Sequence, residues 1–213
     1  MGIEFIETIS KERLGAGKRL KEALSDISTE LKNGVICFRI IKGNLSGTID
    51  EDLDYINYET TIDVLCDIGL CYVDEDVLLE FLQELEAAGL LYDHRAWSVF
   101  TVLEVRSHIN HAENYMEAVV LKDGDKINNI DIDLVSKSDE ELKYVTCKFK
   151  ASNQIEEANR RGNELRELSN EIETGADVVL GTFDIKQQER IESELETGEF
   201  DMLILGTDLL DLS

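Results

Sequence analysis

Asp131, Asp133, Thr146 and Lys148 are the residues whose types and spacing best suit chemistry in this chain. Asp131 and Asp133 alternate with Ile130, Ile132 and Leu134, and Tyr144, Thr146 and Lys148 alternate with Val145, Cys147 and Phe149. Successive side chains of a strand point to opposite faces, so each run carries an apolar row and a polar row. A hairpin turning through residues 136–141 merges the apolar rows and brings Asp131 and Asp133 toward Thr146 and Lys148. Carboxylates able to hold a divalent cation, set beside a lysine, can cleave a phosphodiester. The same residues also make the polar face of an ordinary half-exposed hairpin. Both readings stay open on this pattern alone.

The elements around the hairpin follow from periodicity. In the C-terminal half, Ile109, Ala112, Met116, Val119 and Val120 predict an amphipathic helix, with Glu113 and Glu117 one turn apart on its edge. Strands are expected near 130–135, 143–149, 177–183 and 200–205, and helices over 154–172 and 186–195. The runs Val178-Val179-Leu180 and Met202-Leu203-Ile204-Leu205 are continuously apolar, as strands covered on both faces are. A one-sided hairpin followed by such strands, with helices between them, implies a mixed sheet flanked by helices.

In the N-terminal half, a helix capped by Ser10 is expected over 11–31 and ends at Asn33-Gly34. A β-rich stretch over 35–41 follows. Helices over 58–68 and 74–88 come next, with Gly89 as a stop and short strands at 90–92 and 99–105. The boundary between the halves falls near Arg106, giving domains 1–106 and 107–213. Helix, helix, glycine, hairpin is the order of a winged helix-turn-helix, which the run from Asp74 to Tyr92 resembles. Its third helix nonetheless presents Asp74, Glu75, Asp76, Glu80, Glu84 and Glu86, and no Lys or Arg lies between Lys42 and Arg95. That argues against reading a major groove and for a module that contacts protein.

Other motifs carry less. Gly15-Ala16-Gly17-Lys18 has Glu12 and Arg19 where a phosphate-binding loop needs Gly and Ser or Thr, so it is rejected as a nucleotide site. Lys11, Arg13, Lys18, Arg19 and Lys21 form the densest basic cluster, read as a solvated helix face in preference to a phosphate-facing one. His108 and His111 are spaced to share a helix face, either as metal ligands or as polar residues at a helix start.

Composition sets limits. With 46 acidic and 21 basic residues the formal charge is −25, a field that opposes unaided approach to nucleic acid. It fits high solubility or a basic protein partner. Carboxylates at a metal site are not excluded, because a divalent ion inverts the local field. Cys37, Cys66, Cys71 and Cys147 lie inside apolar runs without a Cys-x-x-Cys, as buried thiols of a reducing cytoplasm do. No run is apolar enough to span a bilayer, and residues 1–20 lack a signal-peptide pattern. A cytoplasmic protein without membrane contact is expected.

From about His108 onward, the element order, Asp133 on one strand and Thr146-Cys147-Lys148 on the next resemble the PD-(D/E)XK nuclease superfamily, with its restriction-endonuclease-like fold. The expected fold class is therefore α/β (α+β), a winged-helix-like domain followed by a restriction-endonuclease-like mixed sheet. The resemblance implies that Asp133 is a metal ligand and that Asp133 and Lys148 are the catalytic pair. It further implies that Glu113, or in its place Glu117, is the helix acid, and that the cofactor of an active member is Mg or Mn. In the family pattern Glu-x-Lys the first position is acidic; here it is Thr146, a neutral oxygen. Losing one such electrostatic group costs about a hundredfold in rate. Asp131, or an acid moved onto the following helix at Glu156, Glu157 or Glu164, would replace it.

Three readings follow. The chain is a metal-dependent nuclease cleaving DNA or RNA through its C-terminal domain with a rearranged ligand set. Alternatively, it is an inactive nuclease-fold protein acting through protein contacts in a nucleic-acid-processing or defence assembly. The third is an acidic mimic of nucleic acid. Enzyme status stays open between them.

Overall fold

Alternation and apolar runs of the C-terminal half build the sheet, and helices cover both of its faces. The computed structural model describes residues 2–42, 73–127, 132–150, 155–184, 188–195 and 199–210. Among them the order is β1 (Ile3–Glu7), α1 (Lys11–Ser25), α2 (Thr29–Lys42), α3 (Glu75–Ala87), α4 (His94–Ile109), β2 (Glu113–Lys122) and β3 (Asp125–Lys126). There follow β4 (Ile132–Lys137), β5 (Leu142–Lys148), α5 (Ile155–Glu171), β6 (Asp177–Thr182), α6 (Gln188–Leu195), β7 (Met202–Ile204) and α7 (Gly206–Leu209). The fold is mixed α/β. Seven strands form one sheet among the described residues, in the order β1-β2-β4-β5-β6-β7 with β3 on β2. The pairs from β1 to β5 are antiparallel, and β5-β6 and β6-β7 are parallel.

Two apolar layers hold the sheet. On one face Leu20, Phe38, Leu82, Trp97 and Val105 from α1 to α4 pack with Met116, Leu134, Val145 and Val179 of the sheet. On the other, Leu165, Leu168 and Ile172 of the α5 region pack with Val120, Val135, Tyr144 and Val178. Close approach on the first face depends on two glycines. A Cβ on Gly17 of α1 would lie 2.3 Å from Val99 Cγ1 of α4, and one on Gly181 of β6 would lie 2.5 Å from Val105 Cγ2. α4 is thus pressed between α1 and the sheet. Asp93 starts it by accepting from the amides of Arg95 and Ala96 at 2.9 and 3.2 Å. The left-handed Asn110 (φ 55°) ends it.

The expected strands 130–135, 143–149, 177–183 and 200–205 all fall in this one sheet, with small shifts of their ends. Helices 74–88, 154–172 and 186–195 also appear. The N-terminal half differs more. The expected helix over 11–31 breaks after Ser25, and Ser28 Oγ accepts from the Leu31 amide to start α2. The stretch 35–41 is helix, not strand, because Val35, Ile36, Cys37, Phe38 and Ile40 are buried among other helices. Residues 99–105 lie in α4, where Val99, Val102 and Val105 form a buried helical stripe, so the wing of a winged helix is absent there. The helix expected from 109 to 120 is instead the end of α4 and then β2. The expected helix 58–68 lies outside the described residues. β1, for which no strand was expected, pairs with β2 at the sheet edge. Because α4 runs unbroken past Arg106 and β1 joins the sheet, the halves 1–106 and 107–213 share one core.

Candidate functional site

The hairpin brings three of the chemically suited residues together. Leu134 lies opposite Val145 and Val135 opposite Tyr144, which places Asp133 across from Thr146. The Thr146 hydroxyl donates to Asp133 Oδ2 at 3.1 Å, and the Cys147 amide donates to the same oxygen at 2.8 Å. Asp133 is half-buried, whereas Thr146 and Cys147 are buried. Two donors on one carboxylate oxygen clasp β4 to β5 beyond their last ladder pair. Lys148 follows on the polar row of β5, half-buried and opposite Thr182 of β6, and its ammonium makes no hydrogen bond or ion pair among the described residues. Burial pushes the Cys147 thiol well above its ordinary pKa; Asp133 adds to that shift and Lys148 opposes it.

The other expected ligands do not join this pair. Glu113 lies on β2, not on a helix, opposite Lys137, with 3.5 Å between their charged groups. Four residues of strand separate Lys137 from Asp133, a rise of about 13 Å. Glu117 does face Asp133, since Met116 pairs with Leu134 and Ala118 with Ile132. Its carboxylate is ion-paired with Arg13, however, and its carbonyl accepts from the Thr8 hydroxyl. The helix that precedes the three antiparallel strands is α4. Its one acid, Glu104, is held by Lys21 at 2.7 Å and by Lys32 at 2.9 Å. Periodicity did not single out Glu104, because its role is to tie α1 and α2 to α4.

On α5, Glu156 is exposed. Glu157 accepts from Arg160 Nε and Nη2 at 2.9 and 2.7 Å. That hydrogen bonding holds the Glu157 carboxyl below its ordinary pKa, and Lys148 adds to the pull. Glu164 is bridged by Arg160 and by Arg161, the latter at 3.2 Å. Asp131 lies outside the described residues. His108 is on α4, but His111 lies beyond its end with Nε2 3.4 Å from Glu141 Oε2, so the two do not share a helix face. Sequence reasoning also passed over Asp184, which is 1 % exposed two residues beyond Thr182 at the Lys148 end of β6. Its only forewarning is a lone acid after an apolar strand.

A distortion of β2 lies beside Asp133, at Glu117. Tyr115 and Val135 pack on the α5 side, and Met116 and Leu134 on the α4 side. One step further the alternation inverts, and Ala118 and Ile132 join the α5 side. Ile132 and Leu134, expected on one face, therefore enter different cores. Glu117 adopts φ 49°, a left-handed conformation that costs a non-glycine residue energy, at the point of inversion.

The Mg or Mn site that the resemblance implies joins Asp133 to at least one further acid, with water and substrate oxygens completing the shell. Among the described residues no three His, Cys, Asp or Glu side chains are grouped to hold a metal ion. Asp133 and Lys148 alone do not make that donor set. No helix among the described residues is long and apolar enough to cross a membrane. Neither a scan against protein-family models nor a search of curated proteins returns a match to this chain.

Proposed function

We propose that this chain is a restriction-endonuclease-like protein without a cutting centre, acting through contacts as a non-catalytic member of a nucleic-acid-processing or defence assembly. Supporting the resemblance is the succession α4, then antiparallel β2, β4 and β5, then α5, then β6 parallel to β5. Asp133 occupies the middle strand of that meander, and Lys148 the next one. The observation that carries the reading is the bond from Thr146 to Asp133. Where the family pattern has a second ligand acid, this chain has a hydroxyl that donates to the first. The pair that would grip a cation in an active relative is here an internal hydrogen bond. The charge of −25 suits a basic protein partner.

The test uses the full chain with supercoiled plasmid, linear duplex and single-stranded RNA, each with Mg or Mn. No cleavage above the Asp133→Asn protein is expected. Thr146→Glu places a second carboxylate beside Asp133 and should acquire a magnesium-dependent rise in melting temperature. Asp133→Asn supplies the baseline for general screening of the acidic surface. Metal-dependent cutting by the wild type, lost in both Asp133→Asn and Lys148→Ala with folding intact, would overturn this reading in favour of an active nuclease. Asp131 would then be the first acid to examine.

A further inference from the structure

A cleft of about 380 Å³ opens between α1 and the start of α4, lined by Arg13, Arg19, His94 and Arg95 together with Glu12 and Asp93. Two of its five charges are already committed. Arg13 is paired with Glu117, and Asp93 is spent on the amides of Arg95 and Ala96. Arg39 Nη2 lies 3.1 Å from His94 Nδ1. A guanidinium only donates, so Nδ1 accepts and the proton of the neutral ring sits on Nε2, leaving an N–H donor on the cleft wall.

The guanidiniums of Arg19 and Arg95 make no ion pair or hydrogen bond among the described residues. In a chain with 46 acids and 21 bases, two exposed, unpaired cations against the single uncommitted acid Glu12 in one cleft form a local reversal of the protein's charge balance. The spent amides at the start of α4 leave recognition to side chains.

We infer that this cleft binds the phosphate group of a small phosphorylated organic molecule, with Arg19 and Arg95 as its two clamps and His94 Nε2 as a third donor. Each guanidinium offers parallel N–H groups that match two phosphate oxygens, a geometry an ammonium lacks. The half-buried Tyr92 lines the same cleft and supplies an aromatic wall for the organic part. The volume lies at the small-molecule end of ligand sites, which run from about 300 to 1,000 Å³. A duplex does not enter such a space. The site is independent of Asp133 and Lys148, which lie on β4 and β5.

The experiment titrates the full chain with adenosine monophosphate, inorganic phosphate and, at matched ionic strength, sodium chloride. Arginine side-chain Nε–Hε resonances are followed by NMR. Saturable shifts of Arg19 and Arg95 are expected with both phosphates, tighter for the nucleotide and absent with chloride. The double variant Arg19→Gln and Arg95→Gln alters exposed side chains, should keep the melting temperature, and should weaken nucleotide binding at least tenfold. Asp133→Asn should leave that affinity unchanged, which separates this site from the proposed function. A chloride response equal to that of phosphate, or unchanged affinity in the double variant, would overturn the site. Equal affinity for nucleotide and inorganic phosphate would overturn the organic half of the assignment.

Discussion

Replacing Asp133 by Ala tests whether its carboxylate is a clasp of the fold. The Cys147 amide donates to it at 2.8 Å and the Thr146 hydroxyl at 3.1 Å. A hydrogen bond to a charged acceptor is worth about 1.5–3 kcal/mol, and an ordinary one about 1 kcal/mol. The substitution leaves the buried Cys147 amide without that acceptor, so a loss of about 2.5–4 kcal/mol is expected, within the range for orphaned polar groups. For a domain of this size each kcal/mol moves the melting temperature by about 2–4 °C. Asp133→Ala should therefore lower it by roughly 5–15 °C. Thr146→Val, which removes one donor, should cost about 1 kcal/mol. A double-mutant cycle over the two positions should return a coupling of similar size, about 1 kcal/mol. Urea denaturation followed by far-UV circular dichroism measures the wild type and the three variants. Asp133→Ala within about 0.5 kcal/mol of wild type, or more stable, would refute the clasp. Such a gain is what removal of a carboxylate kept for function at the expense of stability produces.

Two further outcomes follow from geometry alone. Gly17→Ala should destabilise by about 1–3 kcal/mol despite the better helix propensity of alanine, because its Cβ would lie 2.3 Å from Val99 Cγ1. Gly15→Ala on the same helix meets nothing within 4 Å and should stabilise by up to about 1 kcal/mol; melts showing one sign for both would contradict the seating of α1 on α4. Lys143 is buried, 2.7 Å from Glu141 and 3.4 Å from Asp177. Its hydrogen bond holds the Glu141 carboxyl low, so this contribution is present above the ordinary value of 4.5 and is lost as pH falls through the folded value. Burial alone would lower Lys143, but Glu141 and Asp177 together raise it, so its share is complete below 10.5 and is lost as pH rises through the folded value. The stability gap between wild type and Glu141→Gln should accordingly be widest near neutral pH and close at both extremes. A gap independent of pH would refute the pairing.

What the sequence made legible depended on whether a period had one interpretation. The strands around Asp133, Lys148, Val179 and Leu203 were readable because alternation, or a short apolar run bounded by turn residues, suits little else. The run Val35-Ile36-Cys37-Phe38 was not, since an apolar stretch looks alike as buried helix or buried strand. β-branched Val99, Val102 and Val105 suit a strand, but all three are buried in α4, where Val99 meets Gly17 of α1 and Val105 meets Gly181 of β6. β1 was invisible for another reason. Its partner, residues 118–122, lies more than a hundred positions away, and nothing local marks that pairing.

At the site, alternation sufficed to unite Asp133, Thr146 and Lys148 but not to choose their companions. Glu113 and Glu117 seemed one helical turn apart because Met116, Val119 and Val120 mimic an amphipathic period. A shift of face occurs at the left-handed Glu117: Met116 packs on the α4 side and Ala118 and Val120 on the α5 side, although the three keep the spacing of two of an ordinary strand. That same shift sets Glu117 opposite Asp133 while its carboxylate is given to Arg13 on α1. The sheet thus has a second acid within one strand of Asp133 and commits it to holding a helix, as Asp133 itself is committed to holding a hairpin.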